Sequence, residues 1–345
     1  MLRFQRIAKL KEAIEVVQML TLGRIWNIFL LWISYRLSLL FRSVIHWGKP
    51  FALSFEPTTS CNLRCPECPS GLRSFSRPTG MLDHTFYKKV IDQCRSHLSY
   101  LILYFQGEPY LHPGFTNLIQ YANQKGIYTA TSTNAHFLND DLARETIISG
   151  LKKIIISIDG TDQDTYEKYR IGGDYEKVVA GIRRLLYWKH KLNRRNPRII
   201  LQFLVFSSNQ HQIQEIKKLG RALKVDAVHI KTAQIYNLEN ASTLVPDNGK
   251  FSRYKKVNGK YKIKNKLKNQ CWRSWSSSVI TWDGKVVPCC FDKDAHYVFG
   301  DLNVSSFSEI WSNIEVSGFR AKILDSRSNV DICRNCTEGS KVFAN

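Results

Sequence analysis

The chain has 345 residues and a formal net charge of +21, from 50 Lys and Arg against 29 Asp and Glu. Its 43% content of hydrophobic residues, with only 10 prolines, excludes intrinsic disorder and collagen-like classes. The nine cysteines are too few and too clustered for a secreted disulfide scaffold of this length. The length suggests two domains with an appendage. The charge permits a nucleic acid, an anionic membrane surface or an acidic substrate as partner and does not choose among them.

Residues 1–48 form a predicted helical arm. Residues 1–20 have the pattern of an amphipathic helix, and residues 25–47 are rich in Trp, Phe, Leu and Ile. The uninterrupted apolar stretch between Asn27 and Arg36 is too short to span a membrane. One narrow polar stripe of this second helix contains Asn27, Ser34, Ser38 and Arg42.

The arm is basic as well as apolar. Residues 1–50 contain eight Lys and Arg and two Glu, a net charge of +6. A helix that lies on an anionic membrane surface fits this composition. A long helix packed on the domain or on a partner chain fits it equally well.

From residue 51 the pattern changes to alternating strands and helices. Short β-branched or aromatic runs predict strands at 51–56, 100–105, 128–133, 153–158, 199–206 and 227–231. Helical patterns lie between them at 82–95, 114–125, 140–149, 175–191 and 210–223. Six alternating βα units predict a parallel sheet, open or closed into a barrel, with functional loops at the carboxyl ends of its strands.

A basic segment follows this core at residues 246–270. It contains nine Lys and Arg and a single acidic residue, Asp247. The pair Asn258-Gly259 between short alternating runs predicts a hairpin turn. We interpret the segment as a charged linker with a hairpin; a nucleic-acid arm is the alternative, although few aromatic residues are interleaved for base stacking. The predicted domains are the arm 1–48, the core 49–245, the linker 246–270 and a cysteine-bearing module 271–345.

The loop after the first predicted strand contains Cys61, Cys65 and Cys68 in the spacing C-x3-C-x2-C. Three thiolates on one short loop can ligate three irons of a cubane cluster and leave the fourth iron open. A structural zinc site needs four closing ligands. No fourth cysteine lies on this loop, so zinc would require another ligand such as His84.

This loop closely resembles that of the radical SAM superfamily, and the resemblance extends from about residue 51 to the end of the chain. It implies an α/β fold, a partial (β/α)6 TIM-like barrel with a small C-terminal α+β cluster-binding domain. It also implies a [4Fe–4S] cluster at Cys61, Cys65 and Cys68 whose open iron binds S-adenosylmethionine (SAM). Reductive cleavage of SAM then gives methionine and a 5′-deoxyadenosyl radical, which abstracts hydrogen from a substrate.

Further motifs of the family match this chain at the predicted strand ends. The run 106–109 resembles the family's GGEP motif, which meets the amino group of SAM; a glycine permits close approach and a carboxylate suits an ammonium. The run 132–134 matches a ribose-contacting position. The motif 157–160 and a later arginine match the site of the methionine carboxylate, which a guanidinium suits. The cofactor-binding residues that the resemblance implies are Gln106, Gly107, Glu108, Pro109, Ser132, Asn134, Ser157, Asp159 and Arg170.

Two positions depart from the family pattern. Gln106 replaces the first glycine of the GGEP motif, and Glu67 stands where the family often has an aromatic residue before the third cysteine. Asn209, after the fifth predicted strand, is expected to cap the following helix. The sequence does not choose a general base among Tyr110, His112, Asp159, Tyr236 and Glu239.

The C-terminal cysteines resemble the SPASM/twitch modules of radical SAM enzymes. Cys271 and Cys289 stand in the pattern C-x12-G-x4-C, and Cys333 and Cys336 form a C-x2-C pair. The resemblance implies that these four thiolates close one auxiliary [4Fe–4S] cluster; a structural zinc ribbon is the alternative. Cys290 is the alternative to Cys289 as the fourth ligand. Cys94 lies in a helical pattern and is predicted to be a buried apolar residue.

A cluster closed by four thiolates offers redox chemistry rather than an open iron. The expected function is therefore an oxidative modification of an unidentified peptide or small-molecule substrate, with a low-potential electron donor such as flavodoxin or ferredoxin. The expected setting is cytoplasmic and reducing, peripheral at the inner face of the membrane if residues 1–48 bind an anionic surface; nucleic acid is not an expected partner. The alternatives are a basic Fe–S protein that binds or modifies nucleic acid and a membrane-associated, non-catalytic Fe–S protein.

Overall fold

The computed structural model describes residues 12–236, 238 and 243–337. The helices are α1 (Glu12–Gln18), α2 (Leu22–Phe41), α3 (Pro69–Leu72), α4 (His84–Cys94), α5 (Phe115–Gln124), α6 (Asp140–Ile148), α7 (Gln163–Glu167), α8 (Tyr175–Lys191), α9 (Ile213–Ala222), α10 (Arg273–Ser276), α11 (Phe307–Trp311), α12 (Ile314–Ser326) and α13 (Asp331–Arg334). The strands are β1 (Ala52–Phe55), β2 (Tyr100–Ile102), β3 (Tyr128–Thr133), β4 (Lys153–Ser157), β5 (Arg198–Val205), β6 (Ala227–Thr232), β7 (Tyr254–Val257), β8 (Lys260–Ile263), β9 (Ser277–Ile280), β10 (Lys285–Val287) and β11 (Gly300–Asp301).

The chain divides into two compact units. The first comprises the described residues of 1–60, 75–130 and 267–339, and the second comprises the described residues of 61–74 and 131–266. The division passes through β3, whose first three residues belong to the first unit and whose last three belong to the second. Each unit is described by itself below.

In the first unit the strand order is β11-β10-β9-β1-β2-β3. Strands β1, β2 and β3 are parallel, with Leu53 opposite Leu101 and Leu101 opposite Thr129. Strand β9 lies parallel to β1 on its other side, with Phe55 opposite Ile280, and β9 to β11 form an antiparallel meander. The strands of the C-terminal module therefore extend the sheet that begins with β1.

In the second unit the order continues as β3-β4-β5-β6. Strand β5 is parallel to β4, with Ile156 opposite Leu201, and parallel to β6, with Phe203 opposite Ile230. Both faces of β5 are covered, because six of its eight residues are buried. A continuous hydrophobic strand of this kind is typical of a parallel sheet with helices on its faces. The predicted α/β fold with a parallel sheet is confirmed.

The bounds of most elements follow the sequence pattern closely. Strand β3 and helix α8 occupy the predicted residues. Strand β2 ends at Ile102 rather than at residue 105, and just beyond it the amide of Leu103 donates to the carbonyl of Ala130 in β3 over 2.8 Å. The predicted helix 210–223 begins as a 3-10 turn, Gln210–Gln212, before α9.

Side-chain caps explain where several helices begin. Asp83 accepts a hydrogen bond from the amide of Phe86 at the start of α4. Asn139 and Asp174 make the equivalent bonds at the starts of α6 and α8. These side chains satisfy amides that have no partner within the helix.

The predicted hairpin in the basic segment is confirmed. Strands β7 and β8 pair antiparallel, with Val257 opposite Lys260. Asn258 and Gly259 between them have φ angles of 49° and 75°. Positive φ at both central positions is what a type I′ turn requires.

Helix α2 begins after Thr21, whose side chain accepts from the amide of Arg24, and it ends at Phe41, followed by Arg42 in the left-handed region. The basic residues Arg3, Arg6, Lys9 and Lys11 lie outside the described residues. Within the described part of the chain, no single helix is long and apolar enough to cross a membrane. The pair α1 and α2, bent by 116° at the break between them, meets the length and composition criteria only when taken together.

Candidate functional site

The three cysteines of the C-x3-C-x2-C motif lie on the loop that leads into α3. The amide of Cys68 donates to the carbonyl of Cys65 over 3.2 Å, and the amide of Leu72 donates to the carbonyl of Cys68 over 2.9 Å. Cys65 is buried, and Cys61 and Cys68 pack against the same apolar cluster, which consists of Leu63, Cys65, Tyr169, Phe206 and Ala233. Three thiols therefore share one apolar environment in the second unit.

Gly71 permits the compact shape of this loop, and the sequence analysis did not single it out. A Cβ atom at position 71 would lie 2.5 Å from the backbone nitrogen of Cys65 and 2.7 Å from its carbonyl oxygen. Both are backbone atoms, so a side chain there would displace the cysteine loop. A glycine soon after a cysteine motif is the only sequence signal of this constraint.

Polar groups from the strand ends border the cysteines. The side-chain amide of Asn134, after β3, donates to Asn62 over 2.8 Å and lies 4.0 Å from the Sγ atom of Cys61. The guanidinium of Arg170 lies 3.8 Å from the Sγ atom of Cys65. The structure therefore brings Asn134 and Arg170 to the cysteine loop.

Arg170 is held by a buried ion pair with Asp159. Its Nε and Nη2 atoms lie 2.7 and 2.6 Å from one carboxylate oxygen, and the other oxygen accepts the amide of Leu204 over 2.7 Å. Asp159 is fully buried, and burial raises the pKa of its carboxyl group, an effect that Arg170 and the Leu204 amide oppose. Both carboxylate oxygens of Asp159 are thus engaged within the protein.

The expected helix cap at Asn209 is wrong. Its side chain does not cap the 3-10 turn that follows. Instead its amide donates to the carbonyls of Asp159 and Leu204, and its oxygen accepts the amide of Phe206. Buried carbonyls at the ends of β4 and β5 need donors, so Asn209 ties these two strand ends together.

Glu67 has a partner that explains its departure from the family pattern. Its carboxylate accepts the backbone amide of Tyr236 over 2.7 Å, on the segment after β6. Next to Tyr236, Ile235 exchanges two backbone hydrogen bonds with the hydroxyl of Tyr254. A carboxylate, rather than an aromatic ring, therefore fastens this part of the loop.

Of the residues considered as general bases, Glu239 lies outside the described residues.

The motif 106–109 belongs to the first unit, where it folds over the end of the β1 segment. Gly107 has a φ of 73°, and a Cβ there would lie 2.2 Å from the carbonyl oxygen of Thr58. The amide of Glu108 donates to the carbonyl of Ser60 over 2.8 Å, and its carboxylate accepts the amide of Tyr110. Gln106 and Pro109 are buried beside it. The turn is therefore hydrogen-bonded to Ser60, the residue that immediately precedes Cys61 in the chain.

The two serines of the implied SAM site lie at strand ends in the second unit. Ser132 is half-buried near the end of β3, and Ser157 is buried as the last residue of β4. The structure shows their positions, and their contact with SAM stays a prediction.

The C-terminal cysteines form a second group, in the first unit. Cys271, Cys289, Cys333 and Cys336 line one small cavity. Cys290 is exposed and does not line it; its Sγ atom lies 4.0 Å from the guanidinium of Arg273. Of these two adjacent cysteines, Cys289 therefore lies in the cavity wall and Cys290 lies outside it.

Burial and neighbouring thiols set the protonation of this second group. Burial raises the pKa of Cys289 far above that of an ordinary thiol, and Cys290, Cys271 and Cys336 act in the same direction. Burial also raises the pKa of Cys333, which Arg327 opposes. Arg327 is itself buried and lies 3.2 Å from the Sγ atom of Cys336. A cationic group at the cavity wall suits a site that gathers several thiolates.

Cys94 lies outside both groups and is fully buried, as predicted. Burial raises its pKa to about 12, so this thiol is an apolar core residue.

The donor sets suit iron–sulfur clusters. Each iron of a cubane takes one thiolate, so the ligands surround a cluster rather than meet at one point. Zinc instead needs four ligands within about 2.3 Å of a single ion. Among the described residues, no group of three or more His, Cys, Asp or Glu side chains is arranged to hold a single metal ion. Three thiols at one site and four at the other match an open and a closed cluster.

Comparison with known families agrees with these two sites. The family profile of the radical SAM superfamily matches residues 55–186, and that of SPASM, an iron–sulfur cluster-binding domain, matches residues 271–337. The first match contains the C-x3-C-x2-C loop, and the second contains the four C-terminal cysteines. These domains imply Fe–S clusters and SAM as the cofactors.

Curated relatives and solved structures extend the likeness to most of the chain. The tungsten-containing aldehyde ferredoxin oxidoreductase cofactor-modifying protein of Pyrococcus furiosus is 26% identical over 299 residues, covering 78% of this chain and 82% of that protein. The AdoMet-dependent heme synthase of Methanosarcina barkeri is 24% identical over 332 residues, covering 86% and 91%. SuiB of Streptococcus suis, solved with bound S-adenosylmethionine, shares the fold with a TM-score of 0.61 at 12% identity, covering 84% and 72%. The chain is therefore a radical SAM enzyme with a C-terminal SPASM-type auxiliary iron–sulfur domain.

Proposed function

We propose that Cys61, Cys65 and Cys68 hold the SAM-binding [4Fe–4S] cluster. The observation that carries this assignment is their common packing on one apolar cluster, with Asn134 and Arg170 at the rim. When bound, the cluster and SAM supply a 5′-deoxyadenosyl radical that removes a hydrogen atom from the substrate. The rings of Tyr169 and Phe206 stack with their centroids 4.0 Å apart and belong to the same apolar cluster as the buried Cys65.

The SAM contacts that we propose come from the motifs at the strand ends. They are Gln106, Gly107, Glu108 and Pro109 for the amino group, Ser132 and Asn134 for the ribose, and Ser157 and Arg170 for the methionine carboxylate. Asp159 has a different part. Because both of its oxygens are engaged within the protein, we assign it as a positioning residue that orients the guanidinium of Arg170.

We propose that Cys271, Cys289, Cys333 and Cys336 hold the auxiliary [4Fe–4S] cluster. Four thiols line one cavity, which supports a fully closed cluster without an open iron. Such a cluster transfers electrons rather than binding substrate. If a cluster is bound there, it would supply an electron acceptor within the protein for the substrate after hydrogen removal, which favours an oxidative outcome.

We propose a small molecule or a peptide as substrate and a low-potential donor such as flavodoxin or ferredoxin as reductant. Two relatives are named for cofactor modification and heme synthesis, which favours a small organic substrate. The setting that we propose is cytoplasmic and reducing, because cysteine thiolates and cluster sulfides are sensitive to oxygen. We propose that the protein is peripheral at the inner face of a membrane.

The decisive experiment is anaerobic incubation of the reconstituted protein with SAM and dithionite. The expected result is release of 5′-deoxyadenosine and an iron content of about eight per chain, from two four-iron clusters. Absence of 5′-deoxyadenosine from protein with that iron content would contradict the enzyme assignment in this chain.

A second experiment isolates the role of the auxiliary cluster. The variant Cys333→Ala/Cys336→Ala should lose about four irons and still cleave SAM, while turnover of substrate stops. Full turnover with normal SAM cleavage in this variant would rule out the redox role.

A further inference from the structure

Helix α2 presents an apolar side to solvent. Apart from Phe41, its exposed large apolar residues share one face, because an α-helix has 3.6 residues per turn. We call this the outer face of α2; it consists of Leu22, Ile25, Trp26, Phe29, Trp32 and Leu40. Leu22 and Leu40 are 87% and 73% exposed, and Trp26 and Trp32 are 60% and 53% exposed. The basic residue Arg36 lies on the same face, one turn after Trp32, and is exposed.

The opposite side of α2 is polar and points into the protein. Arg24, which is buried, donates through Nη2 to the carbonyls of Arg95 and Lys125 over 2.8 and 3.2 Å. The side chain of Asn27 donates to the carbonyl of Lys49 over 2.7 Å and accepts its amide over 2.8 Å.

The polar side chains in the C-terminal half of this side also have backbone hydrogen-bond partners. The hydroxyl of Ser38 donates to the carbonyl of Ile45 over 2.7 Å and accepts the amide of Ile45 over 2.9 Å. Ser34 is fully buried and donates to the carbonyl of Leu31. Buried polar groups with specific backbone partners fix the rotation of the helix, because turning it over would leave them unpaired.

Aromatic packing fixes α2 on the C-terminal module as well. The ring of Tyr35 meets the rings of Trp272 and Trp275 edge-on at 5.2 and 5.3 Å. The indole nitrogen of Trp275, which is fully buried, donates to the carbonyl of Ile45. The outer face is therefore a rigid surface and not a loosely attached tail.

We propose that the outer face of α2 binds the surface of an anionic lipid bilayer. An exposed apolar strip of this length is unusual on a free protein and marks a binding surface. Tryptophan side chains favour the boundary between acyl chains and headgroups. The exposed Arg36 on this face complements anionic headgroups, and residues 1–50 keep a net charge of +5 when the inward-facing Arg24 is left out of their +6. This proposal deepens the peripheral location proposed above and does not depend on the reaction that the enzyme catalyses.

A second copy of the chain is a poorer occupant. A symmetric dimer through this face places the same patch of each copy against the other. The exposed Arg36 of each copy would then lie within the same contact, and like charges there weaken association. An anionic bilayer removes the same apolar area from water and attracts those charges instead.

The test is sedimentation of the full-length, cluster-loaded protein with liposomes under anaerobic conditions. Vesicles of phosphatidylcholine alone are compared with vesicles that also contain phosphatidylglycerol. The variant Trp26→Glu/Trp32→Glu should reduce partitioning to the anionic vesicles by about tenfold or more. A matched control, Val304→Glu/Ile314→Glu, changes the net charge equally at two apolar residues that are 85% and 81% exposed elsewhere, and should bind like the unchanged protein.

Further measurements make the result unambiguous. Arg36→Glu, which keeps the apolar residues, should weaken binding to anionic vesicles only, and acyl chains carrying bromine should quench tryptophan emission of the unchanged protein. Equal binding by Trp26→Glu/Trp32→Glu and its control would overturn the proposal. The proposal would also be overturned if the unchanged protein binds no vesicles and forms a stable dimer, and if Trp26→Glu/Trp32→Glu dissociates that dimer. Release of 5′-deoxyadenosine is measured on the same samples without lipid, so a failure of the enzyme assignment is seen separately.

Discussion

The Nη1 atom of Arg170 lies 3.8 Å from the Sγ atom of Cys65. This contact joins a residue just after α7 to the middle cysteine of the motif, 105 positions away in the chain. Burial raises the pKa of the Cys65 thiol, and the charge of Arg170 opposes this effect by favouring the thiolate, which is the form that binds iron. The same guanidinium is held in place by the carboxylate of Asp159. Asp159 therefore orients Arg170, and Arg170 contacts the thiol.

The variant Asp159→Asn should be strongly destabilised. It leaves the guanidinium of Arg170 buried without its carboxylate partner, and breaking a buried ion pair in this way lowers the free energy of unfolding by about 3–5 kcal/mol. Urea unfolding of the cluster-loaded protein measures this change.

The double variant Asp159→Asn/Arg170→Met is the matched control. Because it removes both charges, it should recover much of the lost stability, yet it should release little 5′-deoxyadenosine. Unchanged stability and SAM cleavage in the single variant Asp159→Asn would show that Arg170 does not depend on this partner.

Gly71→Ala should disrupt the first cluster selectively. The added Cβ would lie 2.5 Å from the nitrogen of Cys65, so the cysteine loop must shift. We expect the iron content to fall by about four atoms per chain, while the auxiliary cluster remains. Gly318→Ala, at a helical position where a Cβ meets nothing within 4 Å, is the control and should keep all the iron. Equal iron content in the two variants would show that the loop tolerates the side chain.

Replacing the two adjacent cysteines separately should give opposite results. Cys289→Ser should remove about four irons, because Cys289 lines the cavity with the other three cysteines. Cys290→Ser should leave the iron content and the visible absorption unchanged, because Cys290 is exposed outside that cavity. The reverse pattern would identify Cys290 as the ligand.

The protein should lose stability as the pH falls below about 6.5, in part because of His46. Its Nε2 atom lies 3.1 Å from the indole nitrogen of Trp311, from which it accepts a hydrogen bond in the neutral form. Burial and the charge of Arg320 lower its pKa to about 3. Between pH 6.5, the ordinary value, and about 3, the unfolded chain therefore binds a proton that the folded chain does not. The stabilisation is complete above 6.5 and is lost as the pH falls through that range.

His46→Gln should reduce this pH dependence by up to about one proton, since glutamine can accept the same indole hydrogen bond without becoming charged. Urea midpoints of the cluster-loaded protein at about pH 7.5 and about pH 5.5 measure the difference. His190→Gln, at an exposed histidine, is the control. If the two variants lose the same stability between these two pH values, His46 is excluded as a source of the pH dependence.

Much of the catalytic machinery is readable from the sequence because its spacing is local. The three cysteines of the first motif fall within eight residues, and the helices and strands around them follow periodic patterns to within a few positions. The hairpin at Asn258-Gly259 has the same origin, because two residues with positive φ determine the turn by themselves.

The choice between Cys289 and Cys290 required the tertiary structure. The two residues lie at a turn after β10, where the amide of Asp292 donates to the carbonyl of Cys289 over 3.1 Å, and the turn leaves one thiol exposed and the other in the cavity wall. Which of them meets Cys271, Cys333 and Cys336 depends on how the hairpin of β9 and β10 sits against helices far along the chain. Spacing after Gly284 favoured Cys289 without giving this reason.

The orientation of α2 is the clearest case of a property that the sequence left open. Its periodicity shows that the helix has a polar stripe and an apolar face, whereas the length, the composition and the charge of +21 are the same whichever side is turned inward. The partners of Arg24 are backbone carbonyls of residues 95 and 125, and only the folded chain brings them to the helix. Satisfying those buried donors decided the rotation, and it left the tryptophans outside.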